Sequence, residues 1–275
     1  MFITVLLNII KYAGAVGQIA LLEGYFDLLD DLALKWRLDI SDARALYLEV
    51  SKALEAQNIE AKAQYFLIKH LETFGGVGSE AASFGPHTRS LATKSVAGAV
   101  RNPIVCFQER HNVMSLAAIA ALKGDAEYGK LFELLVIFTQ GKLRDYLEYA
   151  KRCQAVLSAY ELDHDSCVDN MRLLSMCSLA TEHEEIPYAA IAEDLGVPLE
   201  EVEAWVVRTI TSGLIDAKMD QLKSRVVITR CTHRVFYHAQ WAQLQEKLAT
   251  WKGNLRSILS TLKKTKGLAS RQLAS

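Results

Sequence analysis

Apolar residues recur along most of this chain at alternating spacings of three and four, the period of one helix face. Ile19, Leu22, Phe26, Leu29, Ala33 and Trp36 follow that spacing and predict one helix over the stretch. Leu46, Val50 and Leu54 form the next stripe, with Ser41 as the expected N-cap and Asn58 as the break. Leu67, Leu71 and Phe74 form another. No proline occurs before Pro86, so nothing interrupts these helices. Helix pairs with short polar connections read as an α-solenoid, although no repeat is sharp enough to name a consensus.

Gly75-Gly76-Val77-Gly78 reads as a helix connection, because no Lys-Ser/Thr follows and no strand precedes it, as a phosphate-binding loop requires. The small and polar residues from Ser79 to Lys94 predict a longer loop broken at Gly85-Pro86, with a helix resuming within His87–Arg101 and closing at Asn102-Pro103. From Leu116 the helical pattern returns. Leu131, Leu134, Leu135 and Phe138 mark one helix, and Gly141 ends it. Leu143, Tyr146, Leu147 and Ala150 begin another that reaches about Tyr160. Val168–Thr181 predicts a further helix through Met171, Leu174 and Leu179.

Between Ile186 and Phe236 the pattern changes. Pro187–Leu195 is a short amphipathic helix ended by Gly196, and Pro198 opens a second helix with Val202, Trp205, Val206 and Ile210 on its apolar face. Gly213 stops it. Two strand-like runs, Leu214–Met219 and Arg225–Arg230, flank a polar turn at Asp220 and Gln221. Helix, turn, helix and β-hairpin outline a winged helix. Beyond it, Trp241, Leu244, Leu248, Trp251, Leu255, Ile258 and Leu262 keep a strict a/d seam over about three heptads, interrupted only by Gly253. Around the seam lie Lys247, Lys252, Arg256, Lys263, Lys264 and Lys266 against Glu246, and a projecting basic helix with a narrow apolar seam is expected to pack on partner helices. The pattern therefore divides the chain into a helical-repeat array over residues 1–165, a winged helix over 166–236 and a tail helix with a frayed end over 237–275.

Composition narrows the function classes. At 275 residues the chain is long enough for about two domains, and a formal net charge of −1 points to neither nucleic acid nor an anionic membrane. The cysteines (Cys106, Cys153, Cys167, Cys177, Cys231) are scattered and odd in number with no C-x-x-C pair, so a zinc ribbon or disulfide framework is not indicated and a reducing compartment fits. Phe2–Ile10 is apolar, but no positive segment precedes it and it falls far short of a membrane span, so it reads as a buried helix. His183-Glu184-Glu185-Ile186-Pro187 begins like H-E-x-x-H and lacks its second histidine. His233 and His238 are not on one helix face, no G-x-S-x-G occurs, and Asp163-His164-Asp165 reads as solvated capping residues between helices. The expectation is no enzyme, no cofactor and no metal.

A winged helix raises nucleic-acid binding. Its second helix carries Glu200, Glu201 and Glu203 against Arg208 alone, which argues against a phosphate-facing role. The hairpin is more basic, through Lys218, Lys223, Arg225, Arg230 and Arg234, and leaves direct RNA contact open.

Several short runs carry a family resemblance. Ile137-Phe138-Thr139-Gln140-Gly141-Lys142-Leu143 with Tyr146, Met171-Arg172-Leu173-Leu174, Val202-Glu203-Ala204, Lys218-Met219-Asp220-Gln221 with Arg225-Val226-Val227, and Thr232-His233-Arg234 with Phe236 precede the block Gln240-Trp241, Leu244, Leu248, Trp251-Lys252 and Asn254-Leu255. Helical repeats capped by a winged helix and trailed by a long helix resemble the PCI-domain family. That family supplies scaffold subunits to the proteasome lid, the COP9 signalosome and eukaryotic translation initiation factor 3, and the similarity is closest to the initiation-factor members. It is strongest from Leu131 to Leu255 and poor over residues 76–105. The family extends further at the N-terminus, so the chain is expected to start inside the array, with Met1–Ile10 presenting a face that a preceding repeat covers.

The resemblance implies a mainly α fold: a right-handed helical-repeat (α-solenoid) array, a winged helix completing the PCI domain, and a long C-terminal helix. It implies a cytoplasmic, non-catalytic scaffold in translation initiation, with other PCI and MPN subunits as partners and the 40S small ribosomal subunit reached through the complex. PCI subunits join by continuing one another's winged-helix sheets and by bundling their C-terminal helices. The expected interface residues are the seam Trp241, Leu244, Leu248, Trp251, Leu255, Ile258 and Leu262, and Val226, Val227 and Ile228 as the strand offered at the sheet edge. A signalosome or proteasome-lid subunit and a nucleic-acid-binding winged helix are the alternatives.

Overall fold

The computed structural model describes residues 2–26, 28–75, 84–108, 113–125, 128–234 and 238–272. Gly76-Val77-Gly78 and Phe236 lie outside the described residues. The chain divides into two units, Met1–Arg234 and Val235–Ser275. The first is mainly helical with one small sheet, as the sequence pattern predicts.

Within the first unit three apolar cores follow one another along the chain. The first lies among α1 (Phe2–Val16), α2 (Glu23–Phe26), α3 (Leu29–Lys35), α4 (Ile40–Glu55) and α5 (Glu60–Glu72), and buries Ile10, Ile19, Phe26, Leu29, Val50, Leu54 and Phe66. The single helix expected over residues 19–36 is broken into a 3-10 turn at Ile19–Leu22, α2 and α3. Its three-and-four spacing survives in buried Ile19, Phe26 and Leu29. Gly24 is the second residue of the one-turn α2, and glycine is about 1 kcal/mol poorer than alanine inside a helix. The N-cap of α4 is Asp39 and not Ser41: Asp39 is extended, and its carbonyl already accepts from Ala43 N–H at 3.0 Å.

The second core spans α5, α6 (Pro86–Arg101), α7 (Pro103–Gln108), α8 (Ala117–Ala120), α9 (Gly129–Gln140), α10 (Leu143–Arg152), α11 (Gln154–Ala159) and the first half of α12 (His164–Glu182). The loop expected to reach Lys94 is already helix from Pro86, with Gly85 as the cap and Pro86 at the first helical position. Ala92 and Thr93, which read as loop, are buried on a close-packing helix face that continues through Ser95 and Ala99, and Gln64 donates to the Ser95 carbonyl at 2.7 Å. The helix expected to run from Leu143 to Tyr160 breaks at Cys153, which leaves the helical region at φ −126° and ψ 35°. Asp163 caps α12, accepting from Ser166 Oγ–H at 2.7 Å and from Ser166 N–H at 2.8 Å, and these bonds, the hydroxyl's above all, hold its carboxyl below the ordinary aspartate range.

The third core is the winged helix. After α12 come β1 (Glu185–Pro187), α13 (Tyr188–Leu195), a 3-10 turn at Leu199–Glu201, α14 (Val202–Thr211), β2 (Ile215–Asp220) and β3 (Arg225–Cys231). Gly196 takes φ 60°, the left-handed geometry a helix end requires and glycine adopts without penalty. Leu173, Met176, Ile186, Ile191, Leu195, Val202, Val206, Leu214 and Val226 are buried together. Two helices thus serve two cores each. On α5, Phe66 faces the first core while Ile68 and Leu71 face the second. On α12, Met171 and Leu174 face the second core while Leu173, Met176 and Cys177 face the third.

The described residues of the second unit form a single helix, α15 (His238–Gln272), continuous through Gly253 and past Gly267.

At the C-terminal end of α5, Arg44 donates to Thr73 Oγ1 and to the Thr73 carbonyl, and His70 is buried with Nδ1 3.0 Å from the Arg44 carbonyl. That contact places the proton of the neutral ring on Nδ1. Burial, more than the nearby charges, holds the His70 pKa below its ordinary value. The unfolded chain therefore binds the proton more readily, and stability falls as pH drops below about 6.5, the unfolded histidine value. His70→Gln is expected to flatten the decline in melting temperature between neutral pH and about pH 5. An unchanged difference between the two proteins across that range contradicts the assignment.

Candidate protein-interaction surfaces

The winged-helix sheet has the order β1-β3-β2, so β3 is its central strand. Glu185, Ile186 and Pro187 pair with Val227, Val226 and Arg225, and β2 pairs along the opposite side of β3. This corrects the sequence expectation that Val226, Val227 and Ile228 form an open edge. Val226 is fully buried, Ile228 packs against the same core, and Val227 sits half-buried on the other face of a strand paired on both sides. The three-residue β1 has no helix or hairpin signature in sequence, and without it β3 looks like an edge.

The backbone phase identifies which groups remain open. Ile228 N–H donates to the Glu184 carbonyl and Tyr188 N–H to the Ser224 carbonyl. Even-numbered residues of β3 at this end therefore bond toward β1, and odd-numbered ones toward β2. By the register Lys218↔Val227 and Asp220↔Arg225, Lys218 and Asp220 bond inward, leaving the backbone groups of Ala217 and Met219 directed outward. On β1 the outward positions are Glu185 and Pro187, and Pro187 has no N–H to offer. The edge available for a further strand is β2.

The charges around the hairpin are largely engaged. Arg225 pairs with Glu185 and lies 3.6 Å from Asp220, and Arg230 pairs with Asp216 at 2.7 Å. On α14, Arg208 pairs with Asp169 at 2.8 Å and lies over the Trp205 ring, whose surroundings also hold Arg172. Glu203 accepts from Tyr188 Oη at 3.1 Å and from Gln221 Nε2 at 3.0 Å, tying α14 to α13 and to the wing turn. The helix that enters a DNA groove in other winged helices thus has an acidic, exposed N-terminus and its one arginine held in an ion pair.

Arg234 closes this unit. Its guanidinium donates to the Phe138 carbonyl at 2.6 Å, the Gly141 carbonyl at 2.9 Å and Ser178 Oγ at 3.0 Å. Phe138 lies in the last turn of α9, where carbonyls lack helical partners and the dipole favours a cation. Cys177 Sγ donates to the Thr232 carbonyl, and Thr232 N–H to that of Leu214. The segment after the wing is thereby tied to the last helices of the array. Sequence pattern alone missed this role for Arg234, which its clustering with other basic residues concealed. Gly141 belongs to the same junction: a Cβ there meets the Ile137 carbonyl at 2.9 Å.

On α15, considered by itself, all seven predicted seam residues are exposed, from Leu244 at 37% to Trp251 at 68%. Leu259, which the a/d reading omitted, is 55% exposed and widens the apolar face beside Ile258.

Catalytic groupings are sparse. Among the described residues there is no cluster of three His, Cys, Asp or Glu side chains that suits a metal ion. Burial pushes the Cys106 thiol up to about 11 and the Cys177 thiol up to about 12, and raises Cys167, the reverse of what a nucleophile needs. Among the described residues no helix is long and apolar enough to cross a membrane.

Comparison with known proteins matches two stretches of the chain to named families. Residues 143–230 match the PCI domain, and residues 234–262 match the family described as eIF3 subunit M, C-terminal helix. The chain is 35% identical over 233 residues to eukaryotic translation initiation factor 3 subunit M of Neosartorya fischeri, covering 83% of this chain and 48% of that protein. It is 28% identical over 265 residues to the protein of that name from Dictyostelium discoideum, covering 94% of this chain and 63% of that one. With the Phaeosphaeria nodorum protein the identity is 30% over 266 residues, covering 95% and 58%. The chain spans about half the length of the first of these curated relatives.

Replacing Arg234 with alanine strands two carbonyls at the α9 terminus and is expected to destabilise the first unit by about 2 kcal/mol, with Arg234→Lys recovering only part of it. Denaturant unfolding checks this; a change below about 0.5 kcal/mol contradicts the clamp.

Proposed function

We propose that this chain, which belongs to the PCI-domain family, is a non-catalytic scaffold subunit of the translation initiation factor 3 type. It joins neighbouring subunits through the β2 edge of its winged helix and the apolar seam of its tail helix. The observation that carries this reading is the adjacency of the two matches, the PCI domain at 143–230 and the subunit M tail helix at 234–262. The relatives' names point to the same complex.

Physical arguments support the role. A strand edge recognises a partner through backbone hydrogen bonds, and a heptad seam recognises a helix through side-chain packing. Neither needs a pocket, a nucleophile or a bound group. Other PCI and MPN subunits are the partners this reading implies, the 40S small ribosomal subunit is reached through the assembled complex, and the setting is the cytoplasm. The domain division at 165/166 and 236/237 belongs to the same proposal, and α12 (His164–Glu182) contributes to the cores on both sides of the first boundary.

Two substitution sets test it. Leu248→Asp with Leu255→Asp is expected to abolish co-purification with the initiation-factor complex while the circular dichroism of the first unit is retained; retained assembly sinks the role of the seam. Ala217→Pro removes an outward N–H only and is expected to weaken subunit association with stability near wild type, whereas Lys218→Pro breaks a bond to β3 and destabilises the fold itself. Equal loss of stability in the two proline variants contradicts the assigned edge.

A further inference from the structure

The charges beside the tail seam specify its partner. With Trp241, Leu248, Leu255 and Leu262 at the a positions and Leu244, Trp251 and Ile258 at d, Lys247 falls at g and Lys252 at e, the positions that flank a helix–helix contact. Glu246, the acidic residue of this stretch, falls at f, on the side away from the seam, and Arg256 and Lys263 fall at b. Every charge adjoining the seam is therefore a lysine.

That pattern disfavours a second copy of this chain. In a parallel pair the g residue of one helix faces the e residue five positions on in the other, which sets Lys247 against Lys252 on both sides. An antiparallel pair sets g against g and e against e, again lysine against lysine when the seams are centred. A polyanion such as RNA satisfies the lysines but leaves the tryptophan, leucine and isoleucine side chains in water, at a cost of about 25 cal/mol per Å² of apolar surface. A helix with its own apolar heptad seam and carboxylates at its flanking positions satisfies both. Exposed Leu259 at an e position broadens the seam at its C-terminal half, which suits a partner offering more than one helix there.

We propose that α15 docks an acidic-flanked heptad helix from a different polypeptide, with Lys247 and Lys252 selecting it by charge and the seam supplying the affinity. This rests on the scaffold reading and adds the chemistry of the partner. The pairing is electrostatic at the rim and apolar at the centre, so the lysines govern which helix binds more than how tightly the best one does.

The test uses the full chain and two synthetic peptides of about four heptads with identical leucine seams, one carrying Glu at every e and g position and the other Lys. Fluorescence anisotropy is expected to give binding of the Glu peptide at least about tenfold tighter than the Lys peptide, with the gap narrowing as salt rises. The double variant K247E/K252E is expected to reverse the preference, while R256E leaves it in place. Equal affinity for the two peptides overturns the inference, as does self-association of the full chain that competes with the Glu peptide. Displacement of the Glu peptide by polyuridine that persists in Leu248→Asp also overturns it and favours RNA. Loss of complex assembly in the Leu248→Asp, Leu255→Asp chain, with the two peptides binding alike, defeats the charge selection and leaves the scaffold reading standing. Retained assembly in that chain defeats the scaffold role of the seam, whichever peptide binds.

Discussion

The first unit depends on a helix buried on two faces. Consecutive residues of α12 belong to different cores: Leu173 lies in the core of the winged helix, and Leu174 in the second core, where α12 packs on α10. Burying one such leucine is worth about 1.5–3 kcal/mol, so neither core is complete without the helix that also completes the other. A helix in that position is apolar most of the way round, which is why its stripe in the sequence is broad and poorly directional. The same logic operates at α5, between the first and second cores. It is the logic of a solenoid, in which each layer is stabilised by its neighbours. Arg234 adds a polar clamp to the same joint, fastening the segment after the wing to the end of α9.

Much of this was legible from local chemistry. Gly196, Pro198 and Gly213 punctuate the winged helix because backbone geometry demands them there, and the three-and-four spacing after Phe236 predicts the long helix found there. The failures have a shared cause. Ala92 and Thr93 look like loop in one dimension and belong to a close-packing helix face in three, beside Ser95, whose carbonyl Gln64 reaches. The β1 segment is three residues long and contains a proline, so it carries no periodicity, yet its pairing turns β3 from an edge into a centre. Arg234 resembles its basic neighbours by composition and differs only by what lies within reach of its guanidinium. Tertiary placement, not residue type, decided each of these.

The interaction surfaces follow from the same economy. Inside the first unit the recognition-type helix α14 has its polar residues tied to neighbouring elements: Glu203 to Tyr188 and Gln221, Arg208 to Asp169. Within its own unit, β2 directs backbone groups outward, and α15 taken by itself carries exposed apolar side chains. The scaffold role proposed for the chain calls for surfaces that pair with strands and helices, and a strand edge and an apolar helix seam are surfaces of that kind.

The stiffness rests on α12, and native-state hydrogen exchange measures it most directly. Met171→Ala opens a cavity on the array side of α12 alone, at a cost of about 2–5 kcal/mol. If α12 couples the two cores, amide protection in α10 and in α14 falls together by the same free energy. If α14 and the wing keep wild-type protection while α10 loses it, the winged helix folds independently of the array, and the shared-helix account is contradicted.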